Sequence, residues 1–159
     1  MERNSVDRAG AEAREVAGGF LDAIKNEDAP AFWNLLDKKG QGYFMGMWFL
    51  ALADADVRTI EGLAGEKSFL NGALRPVMEG LKNNLGDLLD SPGFGEIDYH
   101  DGQHAGVPVL GAAGAPGGGR EPAEYIPLVL ELAPADDAGA ALTCWRVDTF
   151  RCIQFGKAT

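Results

Sequence analysis

The residues of this chain that could do chemistry gather near its C-terminal end, where Arg146, Asp148, Thr149 and Arg151 fall within six positions. Arg146 and Asp148, two apart, share one face of an extended strand and could pair. In a pocket that pairing would tune Asp148 as a general base. On the outer surface of a sheet it would belong to an interface, together with Phe150. Parity favours the interface, because Trp145 and Val147 on the opposite face are the side chains expected to meet helices. Arg151 lies on that same inward face. A buried guanidinium without a partner is too costly to keep, so Arg151 must find one, reach solvent, or be turned outward by a bulge. At the rim of a pocket, with Thr149 beside it and Tyr43 and Trp48 lining the wall, it could clamp a carboxylate in a bidentate fashion.

Other constellations carry less. Asp98, His100, Asp101 and His104 have the residue types of a metal site. Their alternation through a turn works against convergence, so hydrated loop residues are expected and no metal. Gly111–Arg120 is glycine-rich, but a phosphate cradle needs a Lys-Ser/Thr pair opening a helix, and this loop runs into Arg120-Glu121-Pro122. No nucleophile elbow, Cys-x-x-Cys pair or dinucleotide fingerprint is present. No cofactor is expected and no catalytic residue is assigned.

The elements that must position these side chains follow from periodicity. Ala140–Phe155 lacks Gly and Pro and is rich in β-branched and aromatic residues, which predicts one long final strand. Trp145, Val147, Thr149, Arg151, Ile153 and Phe155 would lie on its inner face, and Leu142, Cys144, Arg146, Asp148, Phe150 and Cys152 on the other. Cys144 and Cys152 are the only cysteines. On such a strand they would stand roughly 26 Å apart, far beyond disulfide reach, as buried thiols.

Upstream, Ala13, Val16, Ala17, Phe20, Leu21 and Ile24 form the buried stripe of an amphipathic helix, with Gly18 and Gly19 allowing close packing. Pro30 opens a second helix with Phe32, Trp33, Leu35 and Leu36 inward, and Lys38-Lys39-Gly40 reads as its stop. Tyr43–Ala53 predicts a mostly buried helix, whose aromatic and Met residues suit a core or the wall of an apolar pocket. A short helix over Asp54–Gly65, one capped by Ser68, and one from Pro76 through Leu89 complete the helical half. Glu96–His100, Val107–Leu110 and Tyr125–Leu132 read as strands. Ile126, Leu128, Leu130 and Leu132 form an apolar face, while Pro127 points to an edge position or a bulge. Ala133–Gly139 is an acidic turn.

The expectation is one domain over residues 1–159: a flexible segment over 1–10, helices over 11–92, and strands over 93–155 with a flexible loop over 111–120. The fold class is α+β, with N-terminal helices packed on a curved, mainly antiparallel C-terminal sheet. A net charge of −10 argues against a nucleic-acid surface and against a polybasic membrane anchor. The longest apolar run, Tyr43–Ala53, is too short to span a bilayer, and no signal-peptide core opens the chain, so a cytoplasmic location is expected.

With the opening helix AEAREVAGGFLDAIKNEDAPAFWNLL, the strands EYIPLVLEL and LTCWRVDTF, and the triplet Trp145-Arg146-Val147, the chain resembles the nuclear-transport-factor-two-like superfamily. This is the cystatin-like α+β roll of ketosteroid isomerases and polyketide cyclases. The resemblance implies a conical pocket between sheet and helices and dimerisation through the outer face of the sheet, without implying an activity. Residues Tyr43–Leu89 are more helical than that plan. The expected function is binding of a small apolar or carboxylate-bearing ligand through Tyr43, Trp48, Thr149 and Arg151. An isomerase or cyclase is the alternative, and a structural dimerisation or partner-binding module is the second alternative. A homodimer joined through Arg146, Asp148 and Phe150 is expected.

Overall fold

The computed structural model describes residues 2–110, 122–133 and 142–153. The expected loop Gly111–Arg120 and most of the acidic turn ahead of the last strand lie outside them. Six helices come first: α1 Glu2–Lys25, α2 Ala29–Leu35, α3 Lys38–Ala51, α4 Val57–Ala64, α5 Lys67–Ala73 and α6 Arg75–Leu85. Among the described residues, a 3₁₀ turn over Gly86–Leu89 then leads to five strands and a seventh helix: β1 Gly93–Phe94, β2 Asp98–Tyr99, β3 His104–Leu110, β4 Pro122–Ala133, β5 Leu142–Val147 and α7 Thr149–Ile153. The strands form a curved antiparallel sheet in the order β1-β3-β4-β5, with β2 also paired to β3. The chain is therefore α+β, helices first and sheet after, and the helices cover one sheet face. Among the described residues no helix is long and apolar enough to cross a membrane.

The core lies where the α1 stripe meets the sheet. Ala13, Ala17, Phe20, Leu21 and Ile24 are buried against Val107, Val109, Ile126, Leu128 and Val147. Phe20 stacks on Phe32 of α2 with ring centroids 5.4 Å apart. Each large side chain buried in this way contributes roughly 1.5–3 kcal/mol of transfer free energy. Gly18 and Gly19 sit against Phe94 and Leu35, the close packing that their small size allows.

Several elements depart from the sequence expectation. The long final strand ends at Val147, and the chain turns at once into α7. Asp is poorly suited to a strand, and Asp148 instead caps the new helix: its carboxylate accepts from the Arg151 N–H at 3.5 Å. The turn reverses the predicted facing of everything beyond it. Cys152 is buried inward rather than outward, Arg151 is exposed, and Phe150 leaves the sheet to lean edge-on against Tyr43 of α3. Both cysteines are unpaired thiols, Cys152 buried and Cys144 only partly so.

Lys38-Lys39-Gly40 starts α3 instead of stopping α2. Two cations at a helix N-terminus oppose its dipole, and two carboxylates compensate. Asp37 caps Gly40 N–H at 3.1 Å, and Glu131 of β4 accepts from Lys38 N–H at 2.9 Å. α3 is also less buried than its composition suggests. Phe44 and Trp48 face the core, but Tyr43, Met47, Phe49 and Leu50 are exposed, Leu50 by 83%. Ser68 falls inside α5, whose N-cap is Glu66 without a side-chain hydrogen bond. On β4, Ile126 and Leu128 are buried while Leu132 is 64% exposed.

Pro127 stands in a central strand, opposite Gly106 of β3. In an extended strand the N–H and C=O of one residue point to the same side. The Pro127 carbonyl accepts from Asp148 N–H at 2.9 Å, so its missing donor faces β5 where that ladder has already ended at Leu128↔Val147. Locally, Pro127 is an edge residue.

Candidate functional site

Two regions hold polar side chains in unusual surroundings, and both depend on the β5–α7 turn. The first is a clasp. Leu36, between α2 and α3, forms a parallel bridge with Val147, and Asp37 N–H donates to the Val147 carbonyl at 3.0 Å. The Asp37 side chain, only 4% exposed, accepts from Thr149 Oγ1 at 2.7 Å, Thr149 N–H at 3.3 Å and Gly40 N–H at 3.1 Å. A buried carboxylate surrounded by donors is satisfied, and it fastens the start of α3 to the start of α7. Thr149 is consumed in this clasp and is not available to line a pocket wall.

The second region is a cavity of about 230 Å³ between the helices and the inner sheet face, lined by Phe20, Leu81, Asn84, Leu85, Glu124, Ile126 and Cys152. α1 supplies Phe20, α6 supplies Leu81, Asn84 and Leu85, β4 supplies Glu124 and Ile126, and α7 closes one side with Cys152. Asn84 is exposed and marks the mouth. It also lines, with Leu81, a neighbouring apolar groove of about 270 Å³ formed by Tyr43, Phe44 and Met47 of α3 and Pro76, Val77 and Gly80 of α6.

Glu124 is the polar feature of this cavity. It is half-buried among apolar side chains, and burial pushes its carboxyl above the usual range, opposed by a hydrogen bond from the Tyr125 backbone. The Cys152 thiol is pushed up to about 12, by burial first and then by the negative charges of Glu124 and Asp148. Cys152 is thus a packed, protonated thiol and not a nucleophile. β4 begins at Pro122, three residues ahead of the strand expected from Tyr125, and Glu124 lies in that added stretch. Period 2, carried back one step from Ile126, Leu128 and Leu130, puts Glu124 on the same inward face.

The four side chains expected to line one pocket do not meet. Tyr43 lines the α3–α6 groove. Trp48 is core, stacked on Trp33 at 5.2 Å and met edge-on by Phe69 at 5.0 Å. Thr149 belongs to the clasp. Arg151 reaches the opposite side of the sheet, where it lines a groove of about 310 Å³ with Asp98, His100, Gly106, Tyr125 and Pro127. Its partner is Asp148, with Nε 3.5 Å from the carboxylate, so the expected Arg146–Asp148 pair is replaced by Arg151–Asp148. Arg146 stays on β5 opposite Val129, half-buried.

Among the histidines, His104 Nδ1 lies 3.0 Å from Asp101, whose carboxyl is held below its usual range by the Gln103 N–H first and then by His104. His100 lies 3.9 Å from Asp98. These are two separate pairs on the β2–β3 hairpin. Among the described residues no three His, Cys, Asp or Glu side chains converge as metal ligands.

In comparison with known proteins, no protein-family model, no curated protein and no solved structure matches this chain.

Proposed function

We propose that this chain is a small-molecule-binding domain, built on the plan of the nuclear-transport-factor-two-like roll, whose ligand enters the Glu124 cavity past Asn84. The observation that carries this reading is the carboxyl of Glu124 held among Phe20, Leu81, Leu85 and Ile126 in a space of about 230 Å³. Ligand sites combine apolar walls with a few polar groups whose ionisation is perturbed, and this cavity has both. The Arg151 groove is broader and shallower, and its cation is already paired with Asp148.

The raised carboxyl of Glu124 also supports a second reading, proton transfer to or from a bound ligand, as in an isomerase-type enzyme. Binding comes first in either case. The test is an NMR titration with a set of small aromatic probes, comparing the wild type with Asn84→Trp. Asn84 is exposed, so a Trp there should close the mouth without disturbing the core. Shifts confined to Phe20, Leu85 and Ile126, and lost in Asn84→Trp, are expected. Shifts that survive the block unchanged would refute the cavity as the site.

A further inference from the structure

The charge of the ligand can be read from what surrounds Glu124. Its neighbours in the cavity among the described residues are apolar, apart from the amide of Asn84 and the thiol of Cys152. Among the described residues no cationic side chain lines the space. The ion pairs of the described residues place Lys82 on Glu27, His100 on Asp98, His104 on Asp101 and Arg151 on Asp148, and none involves Glu124. The hydrogen bond given to its carboxylate comes from the Tyr125 backbone, whereas a carboxylate can accept about four. Asp37 shows what this same fold does with a carboxylate that it means to satisfy: it surrounds it with donors from Gly40 and Thr149. Glu124 has no such shell. The charges of Glu124 and Asp148 both bear on the Cys152 thiol in the cavity wall.

We propose that the cavity selects a protonated amine on a small apolar body, with Glu124 as its counter-ion, the ring or chain against Phe20, Leu85 and Ile126, and Asn84 at the entrance. This rests on the cavity being the ligand site. An ammonium supplies the donors that Glu124 lacks and does so where water is partly excluded, so the ion pair is stronger than one on the surface. A carboxylate of the same size would meet like charge. The ligand class is thus opposite in sign to the one that Arg151 suggested from the sequence.

The experiment compares three probes of one shape, phenethylamine, phenethyl alcohol and phenylacetate, by NMR or calorimetry at neutral pH. The controls are wild type, Glu124→Gln and Asn84→Trp. Wild type should bind the amine at least about tenfold more tightly than the alcohol, and the carboxylate least of all. Glu124→Gln should bring amine and alcohol to the same affinity with an unchanged circular-dichroism spectrum. Because a chain of net charge −10 attracts cations anywhere on its surface, amine binding must also be lost in Asn84→Trp. Equal binding of amine and alcohol to wild type would overturn the inference while leaving the cavity as a ligand site. An amine preference that survives Glu124→Gln or Asn84→Trp would overturn it as well. Failure of all three probes to reach Phe20 and Ile126 at millimolar concentration would overturn the cavity reading and this inference with it.

Discussion

Asp37 and Glu124 are two carboxylates that the same sheet removes from water, and the fold treats them in opposite ways. Asp37 sits where the start of α3 meets the start of α7, and both turn donors toward it, three in all. Glu124 sits on a strand facing helices that offer it side chains of Phe and Leu. The first arrangement repays desolvation inside the protein and leaves nothing for a ligand to add. The second leaves the carboxyl in want of a partner, which is the mark of a site rather than of a brace. On the proposed reading stability and recognition are carried by different acids, and each can be removed separately.

The strongest test of that division is Asp37→Ala. It removes the α3 cap and strands the Thr149 hydroxyl and two backbone N–H groups, so a loss of about 2–4 kcal/mol in urea unfolding is expected. α7 should loosen at the same time, and Cys152, otherwise unreactive, should become accessible to alkylation. A stable variant with a still-protected Cys152 would mean that the clasp does not hold α7.

Gly40→Ala attacks the same clasp by shape. A Cβ at Gly40 would collide with Thr149 Cβ and Oγ1 and come within 2.8 Å of Asp37 Oδ1. The expected cost is about 1–3 kcal/mol, and combination with Thr149→Ala should be less than additive. Strict additivity would separate the two positions and break the picture of a single unit.

Gly46→Ala runs the other way. Its Cβ would meet nothing within 4 Å, and it lies in the interior of α3. A gain of roughly 0.5–1 kcal/mol is expected, showing that α3 itself is weak and depends on its anchor. Thermal unfolding of the single variant decides it; a lower Tm would contradict the open space seen around Gly46.

The smallest effect should come from Glu124→Gln, as a change of slope rather than of level. The Glu124 carboxyl titrates higher in the folded protein than in the unfolded chain. Between those two values the folded state holds more protons, so stability falls as pH rises through that window and stays lowered above it. The neutral variant should lack this fall and be no less stable near pH 7. The groups facing Glu124 are Cys152, protonated throughout, and the charge of Asp148, common to both proteins. An identical pH profile for variant and wild type would show that Glu124 is as well solvated as a surface acid.

Much of the fold was legible because it is written in one-dimensional periods. The α1 stripe through Phe20 and Ile24, the α6 stripe through Met78 and Leu85, and the inward parity of Trp145 and Val147 all follow from local repeats. The clasp was not legible, since Asp37 and Thr149 are 112 residues apart and neither shows its partner locally. The signal at Asp148 was present but outvoted: an Asp within a run of β-formers is a cap waiting for a helix, and reading through it carried Arg151 and Cys152 to the wrong faces. Lys38-Lys39 misled for a related reason, because the anion that tolerates them, Glu131, comes from a distant strand. Glu124 lay one step beyond a strand boundary drawn too late.

The bridge between Leu36 and Val147 also sets a clock. Asp37 leaves the ribosome 112 residues before Thr149 does. At ordinary synthesis rates of about 5–20 residues per second, that separation lasts on the order of ten seconds. Throughout that time α3 has its cap in place but no anchor, and the face of α1 that carries Phe20 waits first for β3 and β4 and last for Val147 of β5. The growing chain is thus for most of that time a set of helices with their apolar sides open, and the clasp closes only when β5 and α7 emerge.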